Sequence, residues 1–120
     1  MSQSSNLSLK LWQLVLDFFL PITQKPPELE GMLFLIGLRE AGLQPAPMSK
    51  EDKQDLVQLG MCAILEQEGY FKREGYTADG WPQFVLLKPA PMLGLGEQED
   101  FLKWRIANYL QAQGLILSEE

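Results

Sequence analysis

LEQEGYFKREGYTADGWPQFVLLK, running from Leu65 to Lys88, contains the change from helical to strand-like period that decides the fold. Leu65 is followed four residues later by Gly69 and then by Tyr70. That is the spacing of a Schellman ending, with glycine as the left-handed C′ residue and the next residue packing back on the leucine. Beyond Gly69 the chain reads as a hairpin with arms Tyr70 to Tyr76 and Trp81 to Lys88, joined by Thr77-Ala78-Asp79-Gly80. A loop of that length sets Tyr76 opposite Trp81. It also pairs Phe71 with Leu86 and Arg73 with Phe84 on one face, and Tyr70 with Leu87 and Lys72 with Val85 on the other. Pro82 implies an edge or bulged position, and a one-residue bulge would alter these pairs.

The same leucine, glycine, apolar spacing recurs at Leu38, Gly42 and Leu43, and again at Leu110, Gly114 and Leu115. The three copies follow no fixed period, so they mark helix ends and not a repeat. The first helix is expected over Leu7 to Leu20, capped by Ser8 or Asn6 and stopped by Pro21. Leu11, Leu14, Val15, Phe18 and Phe19 give it a wide apolar face, with Trp12 beside them. Such a face calls for cover from the rest of the domain or from a second copy of the chain. The second helix opens with Pro26-Pro27, carries Glu28 and Glu30 where the dipole favours acids, and closes at Gly42. Its core stripe is Leu29, Met32, Leu33 and Ile36. Gly31 and Gly37 lie inside it, each about 1 kcal/mol worse than alanine, which suggests close approach by a neighbouring helix. A stiff connector with Pro45 and Pro47 follows. The third helix begins at Ser49, with Asp52 in the capping-box position, and runs through Leu56, Val57, Leu59, Ala63 and Ile64. A last helix starts near Glu97, with Leu102, Ile106, Tyr109 and Leu110 on one face.

At 120 residues and 46% apolar content the chain suits one domain, 1–120, with residues 1–6 and 118–120 frayed. The apolar stretch Leu7 to Leu20 is interrupted by Lys10, Gln13 and Asp17 and is too short for a bilayer span, and no cleavage site follows. A single cysteine, Cys62, permits no intrachain disulfide. A reducing, cytoplasmic setting fits these features, and the Asn6-Leu7-Ser8 sequon is then accidental.

The chain contains no histidine, which removes the commonest general base and metal ligand. The acids Glu51 with Asp55, and Glu97 with Glu99 and Asp100, could act as acid–base pairs or hard-cation ligands, but their helix-start positions suit the dipole better. Gly94-Leu95-Gly96 lacks the third glycine of a dinucleotide loop, and Glu99 stands in its place. Cys62 sits between Met61 and Ala63, an apolar setting for an inert thiol.

Net charge is −6, with only the segment 70–96 positive, at three basic against two acidic residues. Three helices followed by a hairpin is the order of a winged helix, with Asp55 to Glu68 as recognition helix and Lys72, Arg73 and Lys88 as wing cations. Asp55, Glu66 and Glu68 with no Lys or Arg in that helix, and the long double-proline connection before it, weigh against nucleic acid.

Gly69-Tyr70, then Gly80-Trp81-Pro82 and Phe84 behind an acidic amphipathic helix, resembles a pattern in small bacterial proteins that carry no assigned function. The resemblance covers Leu56 to Lys88 and implies no activity, cofactor or site.

The expected fold is α+β and mostly helical: four helices, with a two-stranded antiparallel β-hairpin between the third and fourth. The expected function is non-enzymatic, an intracellular interaction or regulatory module. It would bind another protein through its aromatic hairpin or associate with itself through the first helix. Tyr76, Trp81, Phe84 and Arg73 are the expected partner-contacting residues, since tyrosine, tryptophan and arginine are enriched at binding hot spots. No catalytic, cofactor or metal residue is expected, and no membrane. The alternatives are the winged-helix nucleic-acid binder and, last, a carboxylate-dependent enzyme.

Overall fold

All three leucine, glycine, apolar stretches form Schellman endings. The amides of Leu43, Tyr70 and Leu115 donate to the carbonyls of Leu38, Leu65 and Leu110 at 2.9, 3.3 and 2.9 Å. Gly42, Gly69 and Gly114 donate to Arg39, Glu66 and Gln111 at 3.2, 3.1 and 3.0 Å, each glycine with positive φ. The computed structural model describes residues 9–24 and 28–116. Within them the order is α1 (Leu9–Thr23), α2 (Leu29–Ala41), α3 (Lys50–Glu66), β1 (Phe71–Tyr76), β2 (Pro82–Leu86) and α4 (Leu95–Ala112). This is the expected α+β arrangement, with the antiparallel hairpin between the third and fourth helices. The expected frayed ends, the cap at Asn6 or Ser8 and the Pro26-Pro27 helix start lie outside the described residues.

Packing separates the described residues into two units, one made of those up to Leu29 and those from Pro91 onward, the other of Glu30–Ala90. In the first, α1 lies against α4. Leu11, Val15 and Phe19 are the buried residues of α1, at the fourfold spacing of one helix face, while Leu14 and Phe18 are half-buried. The helix does not stop at Pro21 but continues to Thr23. Proline lacks only its own N–H there, and the last carbonyls find other donors. Thr23 Oγ1 donates to Phe19 O at 3.2 Å and the Gln24 amide to Leu20 O at 2.6 Å, with Gln24 itself left-handed at φ 66°. Helix α4 begins two residues earlier than expected, at Leu95, and the Glu97 carboxylate accepts from the Gly94 amide at 3.3 Å. Ile106, Ala107, Tyr109 and Leu110 are its buried residues, and Leu102 is half-buried.

In the second unit α2 and α3 cross at two glycines. A Cβ on Gly37 would overlap the Leu56 carbonyl oxygen, with the carbonyl carbon 2.8 Å away. A Cβ on Gly60 would overlap the Leu33 carbonyl oxygen and lie 3.2 Å from Gly37 N. Backbone therefore packs directly against backbone at both glycines. Gly31 has nothing within 4 Å of its missing Cβ, so the expectation of close approach holds for Gly37 and fails for Gly31. Ser49 caps α3 as expected, its Oγ accepting from the Asp52 amide at 3.0 Å. From Leu59 to Leu65 every α3 residue is buried except half-buried Met61.

Candidate interaction surface

The hairpin is built on α2 and α3 through one face. Leu38, Leu56 and Leu59 form a buried cluster, and Trp81 and Phe84 pack against it together with Phe34, Leu35, Ala41 and Met48. Phe71 meets Phe84 edge to face, with centroids 6.5 Å apart. The register Phe71–Leu86, Lys72–Val85 and Arg73–Phe84 is the expected one. It then slips. Tyr76 pairs with Pro82, not with Trp81, because Glu74 and Gly75 together oppose Gln83. Gly75, at φ 75°, provides the left-handed residue of this bulge. The loop closes as its composition suggests: the Gly80 amide donates to Thr77 O at 2.9 Å, Trp81 N to Thr77 Oγ1 at 3.1 Å, and Gly80 has φ 86°.

Arg73 fastens the hairpin to both helices. Its Nη2 and Nε donate to the two carboxylate oxygens of Glu66 on α3, at 2.8 and 3.3 Å, and its Nη1 donates to Glu40 on α2 at 3.0 Å. The guanidinium carbon also lies 4.9 Å from the Phe84 ring centroid. The Glu66 hydrogen bond raises the guanidinium above its ordinary value, against the opposing effect of partial burial. Bidentate pairing of this kind fixes orientation as well as charge. In the sequence Glu66 counts only as an acid weighing against nucleic acid, and neither carboxylate is connected with Arg73: Glu66 stands 7 residues away on another element and Glu40 33 residues away.

The four expected contact residues thus separate into two kinds. Trp81 and Phe84 are half-buried against the helices, and Arg73 is held by two carboxylates. Tyr76 is 69% exposed. On the other strand and just beyond it, Val85, Leu86 and Leu87 are 38, 61 and 58% exposed, an apolar run in sequence that the sequence reading did not single out. Its signal was present as three consecutive aliphatic residues on a two-stranded sheet, which has too little helix surface to bury both faces.

The wing cations are engaged locally. Lys72 pairs with Glu74 at 3.5 Å, and Lys88 Nζ lies 4.7 Å from the Tyr70 ring centroid. The stretch imagined as a recognition helix is largely buried from Leu59 to Leu65. Glu51, Asp55, Glu97, Glu99 and Asp100 are all exposed. Among the described residues, no group of three or more metal-ligating side chains gathers. Cys62 is buried; burial raises its thiol pKa, partly countered by a weak hydrogen bond from Gln58 Nε2 at 4.0 Å. No helix among the described residues is long and apolar enough to cross a membrane. Searches of family models, curated proteins and solved structures found no match to this chain.

Proposed function

We propose that the protein is a non-enzymatic interaction module of the cytoplasm that binds a protein partner through the exposed apolar side chains of its hairpin. The observation that carries this is the exposure of Val85 and Leu87 on the side of β2 opposite to Phe84, with Leu86 and Tyr76 also exposed, on an element fastened by Arg73, Trp81 and Phe84. A rigid support beneath exposed aromatic and aliphatic side chains limits the ordering entropy lost on binding. The packed residues Trp81, Phe84 and Arg73 then position the surface, and Tyr76 and residues 85–87 make the contact. An apolar strand bordered by Lys72 and Lys88 suits a protein surface better than a phosphate backbone, since the cations already have local partners.

The test is photo-crosslinking in cells. Benzoylphenylalanine placed at Tyr76 or at Leu87 should form discrete protein adducts, and the same group at exposed Gln54 on α3 should not. Equal labelling from all three positions, or none from the hairpin, would overturn the proposal.

A further inference from the structure

Residues of an antiparallel ladder alternate between those bonded to the neighbouring strand and those whose N–H and C=O point away from it. The bond from the Leu87 amide to Tyr70 O, 2.8 Å, sets the phase. Tyr70 with Leu87 and Lys72 with Val85 are the bonded pairs, so Phe84 and Leu86 turn their backbone groups to the outer edge of β2. Helix α3 lies against β1, and no third strand joins β2 among the described residues. Proteins usually blunt such an edge with charge, proline or a bulge. Here the bulge and the Lys72–Glu74 pair both lie on β1, and Pro82 only starts β2. Residues 83–87 read Gln-Phe-Val-Leu-Leu, without a charge.

We propose that a second copy of the chain occupies this edge, with β2 pairing antiparallel to the partner's β2 across a twofold axis through Val85, to give a four-stranded sheet. This rests on the hairpin being the contact surface. The axis sets Phe84 opposite the partner's Leu86, and Leu86 opposite the partner's Phe84. These are the residues with outward backbone groups, so the pairing supplies about four inter-chain hydrogen bonds. Val85 meets the partner's Val85 as a non-bonded pair, in which side chains approach closely. No like charges face each other. Pro82, which has no N–H, falls opposite the partner's Lys88 and ends the ladder symmetrically. The uncharged, apolar length of the edge therefore matches the length that self-pairing uses. Nothing on β2 selects the charge of a foreign strand, whereas its own sequence meets every requirement of the twofold.

The test combines light scattering and disulfide trapping on the full chain. Dilution from about 1 mM to about 1 µM should take the mass from dimer to monomer. A non-bonded pair holds its Cα atoms about 4.5 Å apart, within disulfide range, so V85C should oxidise to a covalent dimer. Q83C places its two sulfurs roughly four residues apart along the strands, about 13 Å, and should crosslink at least tenfold more slowly. L86P removes an outward N–H and no hairpin bond. It should stay monomeric with an unchanged circular dichroism spectrum. A mass that stays monomeric at about 1 mM would overturn the proposal, as would Q83C crosslinking as fast as V85C. If hairpin photo-crosslinks then still capture a different protein, the contact surface stands and only the second copy fails. If they capture nothing, both fail.

Discussion

Alanine at Gly31 and alanine at Gly37 should move stability in opposite directions, although both glycines lie in α2. Each substitution gains about 1 kcal/mol of helix propensity. At Gly31 the new methyl meets nothing within 4 Å, so the gain is unopposed. At Gly37 it overlaps the Leu56 carbonyl, and both sides of that contact are helix backbone that no rotamer change can move. The helices must separate by about 1 Å, which loosens Leu38, Leu56 and Leu59. Overpacking costs about 1–3 kcal/mol, and an obstruction by backbone belongs at the upper end. The net expectation is about 1 kcal/mol of stabilisation for G31A and about 2 kcal/mol of destabilisation for G37A. At about 4 °C per kcal/mol for a chain of this length, Tm should rise by about 4 °C in the first and fall by about 8 °C in the second. Urea titration followed by far-UV circular dichroism gives the free energies, and thermal melting gives the Tm shifts. G60A should resemble G37A. The double variant should cost less than the sum, because helices already separated by one methyl accommodate the other. A G37A protein as stable as the parent, or a G31A protein destabilised to the same degree, would refute the crossing geometry.

Replacing Arg73 by methionine leaves Glu40, whose side chain is 11% exposed, without that guanidinium. Discounted for the partly exposed Glu66 arm, the loss should be about 1–2 kcal/mol in urea titration, and R73K, which cannot bridge Glu66 bidentately, should recover less than half. Cys62 has a folded pKa raised by burial above its unfolded value of 9.0, so its contribution is fully present below pH 9 and is lost as pH climbs toward the folded value. Stability measured from pH 8 to 10.5 should therefore fall more steeply for the parent than for C62A, and parallel slopes would contradict the burial argument. Alanine at Gly75 should cost about 1 kcal/mol through its positive φ, and G75N should cost less, because asparagine tolerates that region. Equal stability of G75A and the parent by thermal melting would mean the bulge can relocate.

What could be read from the sequence was local. Leucine, glycine and an apolar residue at Schellman spacing reported three helix ends because every bond of the motif lies within six residues. The hairpin register was legible as far as Arg73 for a similar reason, being fixed by alternation on the two arms. It failed at Gly75, since a bulge changes the count of residues by one without changing their character. The roles of Gly31, Gly37 and Gly60 were not separable, because a missing Cβ matters only when another helix lies above it. The candidate surface was half legible. Five aromatics in the hairpin drew the reading to that element, but packing claims Trp81 and Phe84, and the carboxylates that claim Arg73 come from two other helices. Of the four expected residues Tyr76 is the exposed one, and it is joined by the plain aliphatics that follow Phe84.

The pairing of α1 with α4 also sets an order of events during synthesis. Helix α1 leaves the ribosome first, and α4 begins about seventy residues later, an interval of about 4–14 s at usual elongation rates. The whole of Glu30–Ala90 emerges within that gap and can assemble before α1 has its mate. Until then Leu11, Val15 and Phe19 remain open to water on the nascent chain. A chain cut short before α4 would hold an assembled middle and an orphaned first helix, with Leu11, Val15 and Phe19 open to any apolar surface nearby.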